Sequence, residues 1–378
     1  MSSRTAYIAA TLMFLILVCP TTQAQQAPAR PAAPVLPAIT AGDYVIKGYK
    51  FRNGATLPEV KLHYRTMGTP IRDAAGKIRN GVLVMHGSSS DASQVLAASF
   101  ANPLFGPGGP IDARNHYLIF PDILGNGGST KPSDGLRAKF PKYGYEDMVD
   151  LEYKLVTEHL DINRLRLVMG ISMGGMQSYL WGIRHPNAMD GIVTISSLPN
   201  KVEGRNAIWR RILVNGIRNA PDFMGGNYKE QPKVLFSVMA MFDMLVQSPV
   251  RLNEQYDTYP KVEAYLDDVT EESVEEDDAN NIAYRFDASF DYNPAPELIK
   301  ITAPLLTITF ADDELNPIEL GVVEREIKKV KNGRYVIMPA TPTSAGHRGQ
   351  VQAERWKDHV AKFMSALAPM PGRGTAAR

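Results

Sequence analysis

Cysteine is almost missing from these 378 residues: the single one is Cys19. A chain with one thiol makes no internal disulfide, so its stability must come from a large core. An excess of either charge is missing too. Lys and Arg total 41 against 40 Asp and Glu, a formal net charge of +1. That balance implies neither a basic surface for nucleic acid nor an acidic solvating tail, and no nucleic-acid partner is expected. No internal repeat stands out. No two histidines share metal-ligand spacing on one helix face, so no metal and no other cofactor is expected.

Long apolar runs are scarce, and the clearest one is at the N-terminus. Arg4 precedes an apolar run from Ala6 to Val18, Pro20 breaks it, and Thr22-Gln23-Ala24 places small residues before a cut. This pattern predicts a secretory signal peptide over residues 1–24 and a periplasmic or secreted protein. The run is shorter than the ~20 residues of a spanning helix, so no stable membrane insertion is expected after cleavage. Val18 stands where a lipoprotein signal wants a small residue before Cys19. Residues 25–40 are mostly Ala, Pro and Gln with too little apolar surface for a core, and are expected to form a disordered linker.

The rest of the chain alternates. Strands are expected over residues 44–51, 59–65, 82–86, 117–121, 165–171, 192–196, 305–310 and 334–338. Continuous apolar stretches such as Val82-Leu83-Val84-Met85 suit strands buried on both faces of a parallel sheet. Helical periodicity falls at 145–159, 173–184, 318–331 and 351–367. The alternation predicts an α/β fold, a mostly parallel sheet of about eight strands with helices on both sides, and the first two strands as an antiparallel edge. Residues 201–298 break the rhythm with helical, Met- and Phe-rich sequence and an acidic run from Asp267 to Asp278. They are expected to form a helical cap inserted into a core of residues 41–200 and 299–370. The Met and Phe stripe suits cap packing, with part of it free to line a substrate.

Gly170-Ile171-Ser172-Met173-Gly174 joins an apolar strand to a helical pattern. Gly-x-Ser-x-Gly in that setting is a nucleophile elbow. The serine sits on a sharp turn with its hydroxyl clear of the backbone, and the glycines admit neighbouring backbone. In the fold that carries this elbow, the α/β-hydrolase fold, an acid and then a histidine follow in chain order. The acid belongs after the late strand 305–310, where Asp312, Asp313 and Glu314 compete. The base belongs beyond the next strand, where His347, in a Gly-His loop, is favoured over His359 in a helical stretch. His63, His86, His116, His159 and His185 precede the acid and read as structural, with His86 a brace under the next loop. Residues Met85-His86-Gly87-Ser88-Ser89 carry a buried strand into a small-residue loop. That loop and the residue after the nucleophile are the expected oxyanion donors, through the backbone amides of Ser88 and Met173, with Ser89 as the alternative to Ser88.

Further stretches carry a resemblance. They include Leu62-His63-Tyr64-Arg65-Thr66-Met67-Gly68, Gly106-Pro107-Gly108-Gly109-Pro110, Leu124-Gly125-Asn126-Gly127-Gly128-Ser129, Tyr284-Arg285-Phe286-Asp287-Ala288 and Gly346-His347. With the elbow they resemble the homoserine O-acetyltransferase-like branch of the α/β-hydrolases. The resemblance implies a helical cap, a deep catalytic tunnel and a homodimer formed through the cap. It also places the acid four residues before a proline, which selects Asp313 over Asp312. The transferases of that branch carry a cap arginine that grips the amino-acid carboxylate. Counted back from residues 221–228, that position is Val214 here, with Arg210, Arg211 and Arg218 nearby; Arg205 matches instead if an insertion follows it. The oxyanion loop is closer to that of ordinary esterases. Acyl-CoA is a cytosolic donor, and this chain is expected to leave the cytosol.

These features lead to three readings. The first is an exported serine hydrolase that cleaves a small-molecule ester through an acyl-enzyme, with water as acceptor. The second is an O-acyltransferase of the homoserine O-acetyltransferase type. The third is a non-catalytic relative that binds a ligand.

Overall fold

The computed structural model describes residues 35–276 and 278–370. The expected signal peptide, and the linker as far as residue 34, lie outside the described residues. Eight strands form one sheet: β1 (Ile39–Lys50), β2 (Thr56–Met67), β3 (Gly81–Met85), β4 (Tyr117–Pro121), β5 (Leu167–Ile171), β6 (Ile192–Ile195), β7 (Leu305–Phe310) and β8 (Gly333–Met338). Their order is β1-β2-β4-β3-β5-β6-β7-β8. β2 runs antiparallel to β1 and β4, and the remaining pairs are parallel. The sheet is thus the eight-stranded, mostly parallel one of the α/β-hydrolase fold.

Eleven α-helices accompany the sheet among the described residues: α1 (Ser93–Leu96), α2 (Ala98–Phe105), α3 (Tyr145–Lys154), α4 (Met173–Arg184), α5 (Gly204–Asn219), α6 (Val234–Val246), α7 (Pro249–Gln255), α8 (Tyr259–Glu276), α9 (Ala279–Asp287), α10 (Val322–Glu326) and α11 (Lys357–Ala366). The apolar run of β3 is explained by burial on both faces. Leu83 and Met85 pack with α3 and α4 through Met148, Tyr179 and Leu180. Val82 and Val84 pack with α2 and α11 through Phe100, Phe105 and Phe363. A third cluster belongs to α5, α6 and α9, with Leu213, Phe242 and Phe286 at its centre, and Leu315 from the loop after β7 joins it. That last contact ties the helices between β6 and β7 to the sheet's carboxyl edge.

The elements differ from expectation where local geometry overrides periodicity. β1 begins at Ile39, five residues before the expected start, and pairs there with Met67. β5 starts at Leu167; Leu165 makes only a bridge to Met189. The expected helix over 318–331 is broken at Gly321, whose φ of +58 is left-handed, into α10 and two 3₁₀ turns. The one over 351–367 begins only at Lys357, after two 3₁₀ turns, Gly346–Val351 and Ala353–Arg355. α2 was not anticipated, because Pro103 lies within it.

β3 has β4 on one side and β5 on the other, so the chain's winding reverses there. In open α/β sheets the crevice at such a reversal, at the strands' carboxyl ends, is where ligands bind. The loops after β3 and β5 both open into it.

Candidate active site

Ser172 links β5 to α4 with φ +49 and ψ −114, a conformation that costs a non-glycine residue ~1–3 kcal/mol. Close packing holds it there. A Cβ on Gly170 would lie 2.2 Å from the Gly174 backbone, and one on Gly174 would lie 2.5 Å from the Met85 carbonyl oxygen. The Ser172 amide donates to the Ile195 carbonyl at 2.9 Å, and Ser197 Oγ donates to the Ser172 carbonyl at 2.7 Å. The hydroxyl is left to point away from the sheet.

His347 Nε2 lies 2.9 Å from Ser172 Oγ, and His347 Nδ1 lies 2.8 Å from Asp313 Oδ2. The carboxylate accepts from Nδ1–H, so Nε2 carries the lone pair that faces the serine hydroxyl. Asp313 is 2% exposed and His347 is 3% exposed, so water does not compete for this pair. Asp313 is held from four directions. Oδ1 accepts from the amides of Leu315 and Asn316 at 2.9 and 3.1 Å, and Oδ2 accepts from Asn316 Nδ2 at 3.1 Å besides the imidazole. Asp312 grips the histidine loop instead of the ring, accepting from Ser344 Oγ at 2.8 Å and the Gly346 amide at 2.9 Å. His359 lies on α11, and its ring makes no hydrogen bond among the described residues.

The loop after β3 is braced from below. His86 is fully buried. Its Nδ1 donates to the Gly87 carbonyl at 2.7 Å, and its Nε2 accepts from the Ile123 amide at 3.0 Å. Burial pushes its pKa down to about 4, so the ring is neutral at pH 7 and keeps that acceptor. The Gly87 amide donates to Gln94 Oε1 at 2.7 Å, which removes it as an oxyanion donor. Arg285 Nη1 donates to the Ser88 carbonyl at 2.9 Å and fixes the next peptide. Among the described residues, the amides of Ser88, Ser89 and Met173 donate to nothing in the protein. They remain available to an oxyanion.

Ser172 and His347 line a cavity of about 350 Å³. Met239, Phe242 and Val246 of α6 and Val269 of α8 contribute its apolar side. Besides His347, its charged lining residues are Asp243 and Arg348, which pair with each other. Tyr265 Oη also donates to Asp243, at 2.7 Å.

None of the arginines considered from the sequence lines this cavity. Val214 is fully buried in the α5–α6–α9 cluster. Arg211 and Arg218 both pair with Asp287, and Arg205 pairs with Glu314. Arg210 donates to Asn206 and lies over the Trp209 ring, 4.6 Å from its centroid. Sequence reasoning missed Asn316, Arg285 and the loop-holding role of Asp312. Arg285 and Asp312 act through contacts between distant segments, Arg285 and Ser88 being 197 positions apart, and Asn316 Nδ2 also donates to the Ser196 carbonyl, 120 positions away, at 2.9 Å.

A family model described as the alpha/beta hydrolase fold matches residues 110–259. A probable acyltransferase from Methanothermobacter thermautotrophicus is 26% identical over 87% of this chain and 99% of its own length. A homoserine O-acetyltransferase from Pelobacter propionicus is 28% identical over 86% of this chain and 96% of its own length. Among solved structures, esterase E22 superposes with a TM-score of 0.75 at 18% identity, over 86% of this chain and all of that one. The chain has the α/β-hydrolase fold and is an enzyme, and its likeness to two acyltransferases matched nearly end to end supports a place in the homoserine O-acetyltransferase-like branch.

Proposed function

We propose that Ser172 takes the acyl group of an ester or thioester and passes it to an oxygen nucleophile. The observation that carries this reading is the continuous Ser172–His347–Asp313 hydrogen-bond chain opening into a capped cavity. As Ser172 Oγ attacks the carbonyl carbon, His347 Nε2 takes its proton, and the Asp313 carboxylate stabilises the imidazolium. The amides of Met173 and Ser88 stabilise the oxyanion. His347 then returns the proton to the departing alcohol or thiol, leaving an acyl-enzyme. The acceptor's proton passes to Nε2 as its oxygen attacks, and finally returns to Ser172.

The relatives favour an alcohol as acceptor, so O-acyl transfer is our first reading. The cavity argues against an ionised amino acid as that alcohol. Its one arginine is engaged by Asp243, and a carboxylate desolvated there without a partner costs several kcal/mol. A neutral hydroxyl compound is the acceptor this lining suits. The same lack of a charged clamp favours a second reading, hydrolysis, because an acceptor that is not firmly oriented competes poorly with water at ~55 M. Mass spectrometry of products from an acyl ester incubated with glycerol or homoserine separates the readings. Acylated glycerol in excess over free acid supports transfer to a neutral alcohol, and free acid alone establishes hydrolysis. Acylated homoserine as the main product contradicts the argument from the lining.

We also propose export, on the signal pattern of residues 1–24. Intact mass of protein from the producing cells should begin near Gln25, and a retained segment from Met1 to Ala24 contradicts it.

A further inference from the structure

Gln350 is 5% exposed and lines the same cavity as Ser172 and His347. Its Oε1 is buried with no hydrogen-bond partner among the described residues. A buried polar atom left this way costs ~1–3 kcal/mol, which a bound group with a donor would recover once the amide turns toward the cavity. Gln350 and His347 share the 3₁₀ turn Gly346–Val351, three positions apart, and in a 3₁₀ helix such side chains eclipse. The amide therefore stands beside the imidazole on one wall.

The position of the imidazole says which part of a substrate meets that wall. His347 Nε2 must deliver a proton to the departing alcohol oxygen, so the alcohol portion, and not the acyl portion, lies against the histidine turn. Other lining groups of the cavity are neutral and hydrogen-bonding: Ser89, Ser90, Gln94 and Ser99. Gln94 is oriented by the Gly87 amide, and its Nε2 reaches Ser89 Oγ at 3.3 Å. With Asp243 and Arg348 neutralising each other, nothing in this lining selects a carboxylate, phosphate or ammonium. A carboxamide, which both donates and accepts, matches a hydroxyl.

We propose that Gln350 binds a second hydroxyl on the alcohol portion of the substrate, and that the site selects acyl esters of polyols, of glycerol or sugar type. This rests on the acyl-transfer reading of the cavity. It applies whether water or an alcohol is the final acceptor, because an incoming alcohol occupies the place a leaving alcohol has vacated.

The test compares glycerol monoacetate with propyl acetate, which share the acyl group and the three-carbon chain but differ in two hydroxyls. The full-length wild-type protein should show a higher kcat/KM for the glycerol ester. In Gln350→Met, similar in length and unable to hydrogen-bond in the same way, the ratio of the two kcat/KM values should fall about tenfold, the worth of one neutral hydrogen bond. Gln350→Glu, which keeps an acceptor, should retain more of the ratio than Gln350→Met. A ratio that does not move overturns the proposal, and this includes a variant that loses activity on both esters equally through misfolding. Ser172→Ala separates the underlying reading. If it turns over both esters as fast as wild type, acyl transfer at Ser172 falls and the Gln350 proposal with it. If Ser172→Ala is inactive while the ratio is unmoved in Gln350→Met, only the Gln350 proposal falls.

Discussion

The elbow that carries Ser172 and the helices α6 and α8 border one cavity, and they are encoded in opposite ways. At the elbow a few positions admit only one residue type. Gly170 and Gly174 have backbone where a Cβ would sit, and Ser172 holds a positive φ. Across the cavity, Met239, Phe242, Val246 and Val269 need only be apolar and of suitable volume. The chemistry is therefore written as a motif, and the choice of substrate is written as packing. If this division is right, changes at the elbow should remove turnover, and changes in α6 and α8 should redirect it.

The largest effect should come from Ser172→Ala, which should lower kcat/KM by about 10³-fold or more with the fold kept by circular dichroism. A loss under about tenfold would remove Ser172 from the mechanism. Next is the pair of adjacent aspartates. Asp313→Asn should lose about 10³-fold, because the amide no longer selects the Nδ1–H tautomer. Asp312→Asn should lose about tenfold or less, since it weakens only the grip on Gly346 and Ser344. The reverse ranking would transfer the acid's role to Asp312.

Smaller and different in kind is a change in α6. Phe242 packs edge-on against Phe286, with ring centroids 5.0 Å apart, and faces the cavity. Phe242→Ala should cost about 3–5 kcal/mol in denaturant unfolding and shift ester preference toward larger groups. The rate of Ser172 modification by a small fluorophosphonate should stay within a few-fold of wild type. A collapse of that rate would show that the chemistry and the α6 wall are not separable.

The fold was legible where burial on both faces dictates continuous apolar strands, and its eight strands fell close to expectation. The elbow was legible because its spacing and its setting coincide. Asp313 was not separable from Asp312 by residue type alone; the resemblance selected it, and the geometry distinguishes them by which one meets the imidazole. His86 was readable as a brace from its place in the strand-to-loop stretch. Arg285, Asn316 and Gln350 were not, because their meaning lies in what they touch. Arg285 reaches a carbonyl 197 positions away, and Gln350 is notable only for its lack of a partner inside a cavity. Helix ends near Gly321 and Lys357 were misplaced because left-handed and 3₁₀ turns leave little trace in hydrophobic periodicity.

The smallest predicted effect concerns the core away from both regions. Glu152 is buried beneath Trp181, whose Nε1 donates to its Oε2 at 2.8 Å. Burial pushes its pKa up to about 8, with the Trp181 bond opposing part of the rise. Between the ordinary glutamate range and pH 8 the folded state holds a proton the unfolded chain has released, so stability from this group falls as pH rises through that window. Glu152→Gln keeps the Trp181 bond without ionising. It should raise Tm by a few degrees at pH 8 and by much less at pH 5. Equal shifts at both values would mean that Glu152 does not titrate in the folded protein.

The most direct test of acyl transfer at Ser172 is labelling of the full-length protein with a fluorophosphonate, followed by peptide mapping. The account predicts one adduct, on Ser172, formed in wild type and absent in Ser172→Ala, with labelling slowed sharply in His347→Ala. Folded wild-type protein that stays unmodified, or that carries its adduct on another residue, would contradict it.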